Sequence, residues 1–91
     1  MDLTARIDHI SRLDGPILVT GAGGFVGARL YHLLASQRSD VVAVVRERSD
    51  WRLLGLDSGL VDRCDLTNAG DVDRLVERHR PQTVFHCVSY G

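Results

Sequence analysis

One segment near the N-terminus organises this 91-residue chain: Ile17-Leu18-Val19-Thr20-Gly21-Ala22-Gly23-Gly24-Phe25-Val26-Gly27. It opens with a short apolar run typical of a buried strand, and glycines then recur at every third position from Gly21 to Gly27. Apolar residues follow at helical spacing, namely Val26, Leu30, Leu33 and Leu34. The segment therefore predicts a strand, a glycine-rich turn and an amphipathic helix, the context in which glycine spacing indicates a ligand site.

Each of the three regularly spaced glycines has its own physical reason. Gly21 suits the backbone of a tight turn, Gly24 lets a ligand approach the main chain, and Gly27 lets the helix pack close to the strand. The first N–H groups of the helix have no partner within the helix, and the helix dipole adds partial positive charge there. We therefore expect a pyrophosphate to bind at this turn.

Two other glycine motifs do not fit the segment. The phosphate loop of nucleotide hydrolases needs a Lys after its last glycine, and this chain has none, because all 11 of its basic residues are Arg. The pattern G-x-G-x-x-G would place its last glycine at Val26. The spacing T-G-x-x-G-x-x-G, from Thr20 to Gly27, does fit, and it resembles the cofactor loop of the extended short-chain dehydrogenase/reductase family. The alternative is a glycine-rich turn that binds no ligand.

The composition is that of one small globular domain, with 44% apolar and 25% charged residues. A net charge of −1 gives no electrostatic reason to expect binding to nucleic acid or to a membrane. The N-terminus lacks a signal-peptide pattern, so we expect a cytoplasmic protein. The four His show no metal-ligand spacing, so we expect no metal site. Cys64 and Cys87 are too few for a disulfide framework and are expected to be buried free thiols.

The rest of the chain predicts alternating strands and helices. Residues 1–14 are expected to form a helical extension, and residues 15–91 the N-terminal part of a dinucleotide-binding domain. Further strands are predicted at 41–45, 60–65 and 83–88, and helices up to about residue 37, at 51–54, and at 69–79 with Val72, Leu75 and Val76 inward. This order predicts an α/β fold, a Rossmann-like doubly wound parallel sheet of four strands in the order 3-2-1-4, truncated after the fourth.

The residue after the second strand is where dinucleotide folds recognise the adenosine ribose. An acid there holds the 2′-hydroxyl of NAD, whereas an Arg accommodates the 2′-phosphate of NADP. This chain has Arg46, with Arg48 and Ser49 close enough to assist, so the sequence slightly favours NADP within an expected NAD(P) site. The alternatives are that Arg46 is an ordinary exposed residue and that Glu47 contacts the ribose.

The family resemblance assigns further residues near the ends of later strands. It implies that Asp65 and Leu66 clamp the adenine ring, although Asp65 is equally suited to a cap or turn before the next helix. It also implies small residues over the cofactor after the fourth strand, where this chain has Cys87 and Ser89. Val88 between them departs from the family pattern.

His86 lies inside the fourth predicted strand and is expected to be a buried histidine with satisfied hydrogen bonds rather than a catalytic one. We expect no catalytic residue and no metal ligand among the 91 residues. The residues expected to hold the cofactor are Gly21, Gly24, Phe25, Val26, Gly27, Arg46, Asp65, Leu66, Cys87 and Ser89.

The resemblance covers residues 16–91 and points to the nucleotide-sugar epimerases, dehydratases and reductases. Their chemistry uses a Tyr-x-x-x-Lys pair, which this chain lacks because it has no Lys, and neither Tyr31 nor Tyr90 is placed to serve as its Tyr. We therefore expect the NAD(P)-binding portion of such an enzyme, inactive by itself. The intact enzyme would take a nucleotide-sugar substrate, and the resemblance allows a homodimer.

Two other functions stay open at this point. One is a non-catalytic dinucleotide-binding or redox-sensing module that is complete as given. The other is an interaction protein whose glycines are vestigial. A Tyr-x-x-x-Lys sequence encoded after Gly91 would favour the enzyme, and a stop codon there would favour the module.

Overall fold

The computed structural model describes residues 10, 12–46 and 61–87, which form four strands and two longer helices. In chain order these are β1 (Ile17–Thr20), α1 (Phe25–Ala35), β2 (Val41–Val45), β3 (Val61–Arg63), α2 (Ala69–His79) and β4 (Thr83–His86). Of the expected N-terminal helix, the described residues Ile10 and Arg12 are helical. The helical turn predicted at 51–54 lies outside the described residues. None of the helices described is long and apolar enough to cross a membrane.

The four strands form one parallel sheet in the order β3-β2-β1-β4, which confirms the predicted topology. Ile17 of β1 pairs with Val41 of β2 on one side and with Thr83 of β4 on the other. Strands β2 and β3 therefore lie on one side of β1 and β4 lies on the other, so the strand order reverses at β1. In such a sheet the carboxyl ends of the two strands at the reversal open a crevice that binds ligands.

Both faces of the sheet are covered, as the continuous apolar runs of β1 and β2 predict. Because side chains alternate along a strand, each strand supplies two separate cores. The core on the α1 face contains Ile10, Ile17, Val19, Tyr31, Leu34, Val41, Ala43 and Val45. The core on the α2 face contains Leu18, Val42, Val44, Cys64 and Leu75.

Helix α1 buries a different face from the one that the sequence predicts. Its buried residues are Gly27, Ala28, Tyr31 and Leu34. Val26 and Leu33, expected inside, are 73% and 43% exposed, whereas Tyr31 is fully buried. The cause is the close approach of Gly27 to the glycine turn, described below, which directs the small residues of the first helical turn at the sheet and leaves Tyr31 to fill the core behind them.

Helix α2 begins at a side-chain cap, because Asn68 Oδ1 accepts a hydrogen bond of 3.0 Å from the Asp71 N–H. Leu75 is buried and Val72 is half-buried, as predicted. Val76 was expected on the inner face, but its side chain is 48% exposed. The prediction fails because the apolar stripe of α2 is narrow, so Leu75 fills the contact with the sheet and Val76 lies to one side.

A buried carboxylate joins α2 to β3. Asp62, which is only 8% exposed, lies 2.7 Å from His79 Nε2 and 3.3 Å from Arg78 Nη1, and it accepts a hydrogen bond from the Arg63 N–H. Burial alone would raise the pKa of Asp62, but the hydrogen bonds from His79 and the Arg63 N–H, with the charge of Arg78, lower it overall. Arg78, although its side chain is more than half exposed, therefore has a structural partner in Asp62.

Candidate functional site

The glycine turn follows β1 directly and has the geometry that the spacing predicts. Gly21 has φ of 67°, a left-handed conformation that favours glycine. The Gly24 N–H donates to the Gly21 carbonyl at 3.0 Å, and the Ala22 N–H donates to the Val44 carbonyl at 3.3 Å. The turn is thus closed on itself and tied to β2, and α1 begins immediately after it.

Gly24 and Gly27 lack a side chain for different reasons. A Cβ added at Gly27 would overlap the Gly21 carbonyl oxygen and lie 2.7 Å from the Gly21 carbonyl carbon and 3.0 Å from Ala22 Cα. A Cβ added at Gly24 would meet only the Gly21 carbonyl oxygen, at an ordinary 3.5 Å. Internal packing therefore requires glycine at position 27 but not at position 24, where the missing side chain leaves the main chain open from outside.

The start of α1 is also suited electrostatically to an anion. Gly24 is the N-terminal cap residue, no side chain of the described residues caps it, and the first turn of α1 carries no acidic residue. The helix dipole therefore acts there without a carboxylate in the first turn of α1 to offset it. Phe25 and Val26, both predicted to contact cofactor, flank this point with 70% and 73% of their surface exposed.

Arg46 and Arg63 lie beside each other at the carboxyl ends of β2 and β3. Arg46 directly follows β2, and Arg63 is the last residue of β3, paired with Val45. Arg63 Nε donates a hydrogen bond of 3.1 Å to the Arg46 carbonyl oxygen. The sequence indicates Arg46 but not Arg63, because only the register between the two strands brings Arg63 to this point. Glu47, Arg48 and Ser49 lie outside the described residues.

Asp65 has the turn role, which is one of the two roles that the sequence leaves open for it. Its Oδ1 accepts hydrogen bonds from the Thr67 N–H at 3.0 Å and the Thr67 hydroxyl at 2.6 Å, so it stabilises the turn before α2, while Asn68 provides the cap. The bonds from Thr67, followed by the charges of Arg46 and Arg63, lower the pKa of Asp65. Both bonds end on Oδ1, so among the described residues Oδ2 keeps its capacity to accept. Leu66 is half-buried beside it.

The end of β4 is tied to the end of β1. Thr20 is 3% exposed, and its hydroxyl lies 2.7 Å from Nδ1 of His86. The Cys87 N–H donates to the Thr20 carbonyl at 3.1 Å, which places Cys87 at the crevice. His86 has the expected hydrogen bond, but its side chain is exposed and not buried. Cys87 is half-buried, although it was expected to be buried. Both differences arise because β4 is an edge strand among the described elements. Cys64 is a buried free thiol, as expected. Val88 and Ser89 lie outside the described residues.

The glycine turn, the reversal of strand order at β1 and the groups at the strand ends define a Rossmann-type dinucleotide-binding unit. The chain belongs to the NAD dependent epimerase/dehydratase family, whose model matches residues 17–91. This confirms the resemblance to the extended short-chain dehydrogenase/reductases. Membership implies that the unit binds a nicotinamide dinucleotide.

Two relatives are similar to most of the chain. A dTDP-4-keto-6-deoxy-D-glucose reductase from Streptomyces niveus is 33% identical over 73 residues, which are 80% of this chain and 20% of the reductase. The structure of an epimerase from Methanothermobacter thermautotrophicus superposes with a TM-score of 0.73 and 25% identity, covering 99% of this chain and 27% of the epimerase. The chain thus spans between a fifth and about a quarter of the length of these proteins.

The described residues fit a dinucleotide. The open main chain at Gly24 and the uncapped start of α1 suit a pyrophosphate. Arg46 directly follows β2, the position at which this fold recognises the adenosine ribose, and Arg63 Nε lies 3.1 Å from the Arg46 carbonyl oxygen. Asp65 and Leu66 follow β3 at the same end of the sheet. These groups, all at the carboxyl end of the sheet, are therefore suited to binding a dinucleotide.

Proposed function

We propose that this chain is the cofactor-binding part of an NADP-preferring epimerase, dehydratase or reductase that acts on a nucleotide sugar. The observation that carries the proposal is the contrast between Gly27, where packing excludes a side chain, and Gly24, where only an outside ligand would be obstructed by one. The nucleotide-sugar class is supported by the S. niveus relative, whose substrate by name is a dTDP-linked sugar.

Each part of the site would bind one part of the cofactor. The main chain from Gly21 to Gly27, with Phe25 and Val26 on its rim, would hold the pyrophosphate. Arg46 would hold the 2′-phosphate, with help from Arg48 and Ser49. Asp65 would accept from the adenine amine through Oδ2 while Leu66 borders the ring.

At the end of β4, Cys87 and Ser89 would border the nicotinamide side of the crevice. The nicotinamide, when bound, supplies hydride transfer. The described residues would contribute position and electrostatics, because they would hold the dinucleotide across the carboxyl ends of the strands. A Tyr-x-x-x-Lys pair, the proton-transferring group of this family, would come from outside these 91 residues.

The test uses the protein at its full natural length. Calorimetric titration with NADPH and NADH is expected to show binding of both, with NADPH tighter. Incubation with NADPH and a dTDP-4-keto-6-deoxy sugar is expected to oxidise the cofactor. Absence of dinucleotide binding would contradict the proposal as a whole. Binding without turnover on a panel of nucleotide sugars would instead favour a non-catalytic module.

A further inference from the structure

We propose that Arg63 is a second guanidinium of the 2′-phosphate site and holds the phosphate together with Arg46. The inference rests on the proposed preference for NADP and adds a specificity-determining residue to it. Arg63 belongs to β3, a strand that the sequence does not connect with recognition of the ribose. It enters the site only through the three-dimensional pairing of β3 with β2.

The position of Arg63 is fixed by its own hydrogen bond. Its Nε donates to the Arg46 carbonyl oxygen at 3.1 Å, so the guanidinium is anchored to the peptide that also carries the Arg46 side chain. A guanidinium has five N–H donors in a rigid fork. The structure shows no further hydrogen bond from the Arg63 guanidinium to any residue that it describes, so its remaining donors are available to a ligand.

Within the part of the chain that the structure describes, the charge around Arg46 and Arg63 is also unbalanced. The Asp65 carboxylate interacts electrostatically with both guanidinium groups, and their positive charges help to lower its pKa. Its Oδ1 is engaged by Thr67 rather than by either Arg. Among the residues that the structure describes, the two positive charges thus have Asp65 as a neighbouring carboxylate, and the side-chain hydrogen bonds of Asp65 are made to Thr67. A phosphate monoester, with nearly two negative charges and three acceptor oxygens, complements that arrangement.

A hydroxyl does not complement it in the same way. The 2′-hydroxyl of NAD brings no charge and needs one partner, so a second Arg adds nothing to its recognition. The Arg63 arrangement therefore discriminates between the two cofactors more sharply than Arg46 alone. A purely structural Arg63 would only tie β3 to the end of β2, and its loss would affect all adenosine ligands equally.

The experiment compares two probes that differ only in the 2′-phosphate: adenosine 2′,5′-bisphosphate and adenosine 5′-monophosphate. Both are titrated into the full-length protein, the Arg63→Gln variant and the Arg12→Gln control. Arg12 is an exposed Arg that precedes β1 at the opposite end of the sheet, so the control removes the same charge away from the site. We expect Arg63→Gln to weaken binding of the bisphosphate about tenfold and to leave the monophosphate unchanged. Arg12→Gln should change neither.

The possible results separate this inference from the proposed function. Unchanged bisphosphate affinity in Arg63→Gln, or an equal loss for both probes, would overturn the role of Arg63. If the unmodified protein binds neither probe nor any dinucleotide, the proposed function fails instead. If Arg63→Gln does not fold, the same two titrations are made with Arg63→Lys. A Lys keeps the charge but not the fork, so a smaller, selective loss supports the role and unchanged discrimination overturns it.

Discussion

The Thr20 hydroxyl and Nδ1 of His86 lie 2.7 Å apart and join the last residues of β1 and β4. These are the strands at which the sheet reverses its order, so the hydrogen bond spans the floor of the crevice. Thr20 is buried whereas His86 is exposed. The bond therefore holds an edge strand against the centre of the sheet at the point where Cys87 enters the candidate site.

Replacing Thr20 by Val should loosen this junction, because Val has the same shape but cannot hydrogen-bond. Net hydrogen bonds contribute about 0.5–1.5 kcal/mol, so we expect Thr20→Val to lower the free energy of unfolding by that amount and to weaken NADPH binding. Thr20→Ser keeps the hydroxyl and should restore most of both. Denaturant unfolding and calorimetric titration of the full-length protein measure the two effects. Equal behaviour of the Val and Ser variants would contradict the role of the hydroxyl.

Gly27→Ala should destabilise the fold. The added methyl would meet the main chain of Gly21 and Ala22, which cannot move aside as a flexible side chain would. Overpacking of this kind costs typically 1–3 kcal/mol, and about 3 kcal/mol is expected here because the obstruction is backbone. Thermal unfolding monitored by circular dichroism measures the loss. A variant as stable as the unmodified protein would show that α1 can shift away from the turn.

Gly24→Ala is the matched variant, because its methyl meets only one atom, at 3.5 Å. The fold should be kept, with a loss below about 1 kcal/mol from the weaker capping residue. NADPH binding should fall at least tenfold, since the methyl occupies the space through which the pyrophosphate approaches the main chain. Calorimetric titration of a folded variant is the measurement. Native structure with unchanged affinity would leave the glycine turn without its proposed ligand.

Asp62 should make the free energy of unfolding decrease as the pH becomes acidic. Its pKa is lower in the folded state, so its contribution is fully present above the ordinary aspartate pKa of about 3.9 and is lost as the pH falls through the folded-state value. Asp62→Asn should therefore cost about 1–3 kcal/mol at neutral pH, and its difference from the unmodified protein should shrink as the pH falls through the folded-state pKa of Asp62. Denaturant unfolding across this pH range measures it.

Asp73→Asn is the control for that series, because Asp73 is an exposed residue of the same helix. It should leave the pH dependence as it is in the unmodified protein. If the cost of Asp62→Asn were constant from neutral to acidic pH, the interactions of the ionised carboxylate with His79 and Arg78 would not stabilise the folded state.

The sequence predicted the parts of this fold that depend on local chemistry. The strand order follows from apolar runs and short connections, and the roles of Gly21 in the turn and Gly27 in packing follow from spacing. The rotation of α1 could not be predicted, because a backbone contact at Gly27, rather than the apolar stripe, decides which residues face the sheet. Likewise, His79 with Asp62 and Arg63 with Arg46 are pairs 17 residues apart in sequence. The first pair meets only through the packing of α2 on β3, and the second only through the register of β3 with β2.

Arg46→Ala should weaken the binding of NADPH much more than the binding of NADH. A 2′-phosphate beside Arg46 gains charge-assisted hydrogen bonds, which contribute about 1.5–3 kcal/mol each, whereas NAD leaves the guanidinium in water. We therefore expect NADPH binding to weaken roughly tenfold to a hundredfold, with NADH binding nearly unchanged. The loss for NADPH should shrink at high salt, because part of the attraction is screened.

The measurement is titration of both cofactors into the unmodified and Arg46→Ala proteins at two ionic strengths, with Arg12→Gln as the control for total charge. Arg12 is exposed at the opposite end of the strands and should have no selective effect. Equal losses for both cofactors would mean that Arg46 supports the strand end and does not recognise the ribose. Tighter binding of NADH than of NADPH by the unmodified protein would instead transfer ribose recognition to Glu47, because a carboxylate accepts from the 2′-hydroxyl and repels a 2′-phosphate.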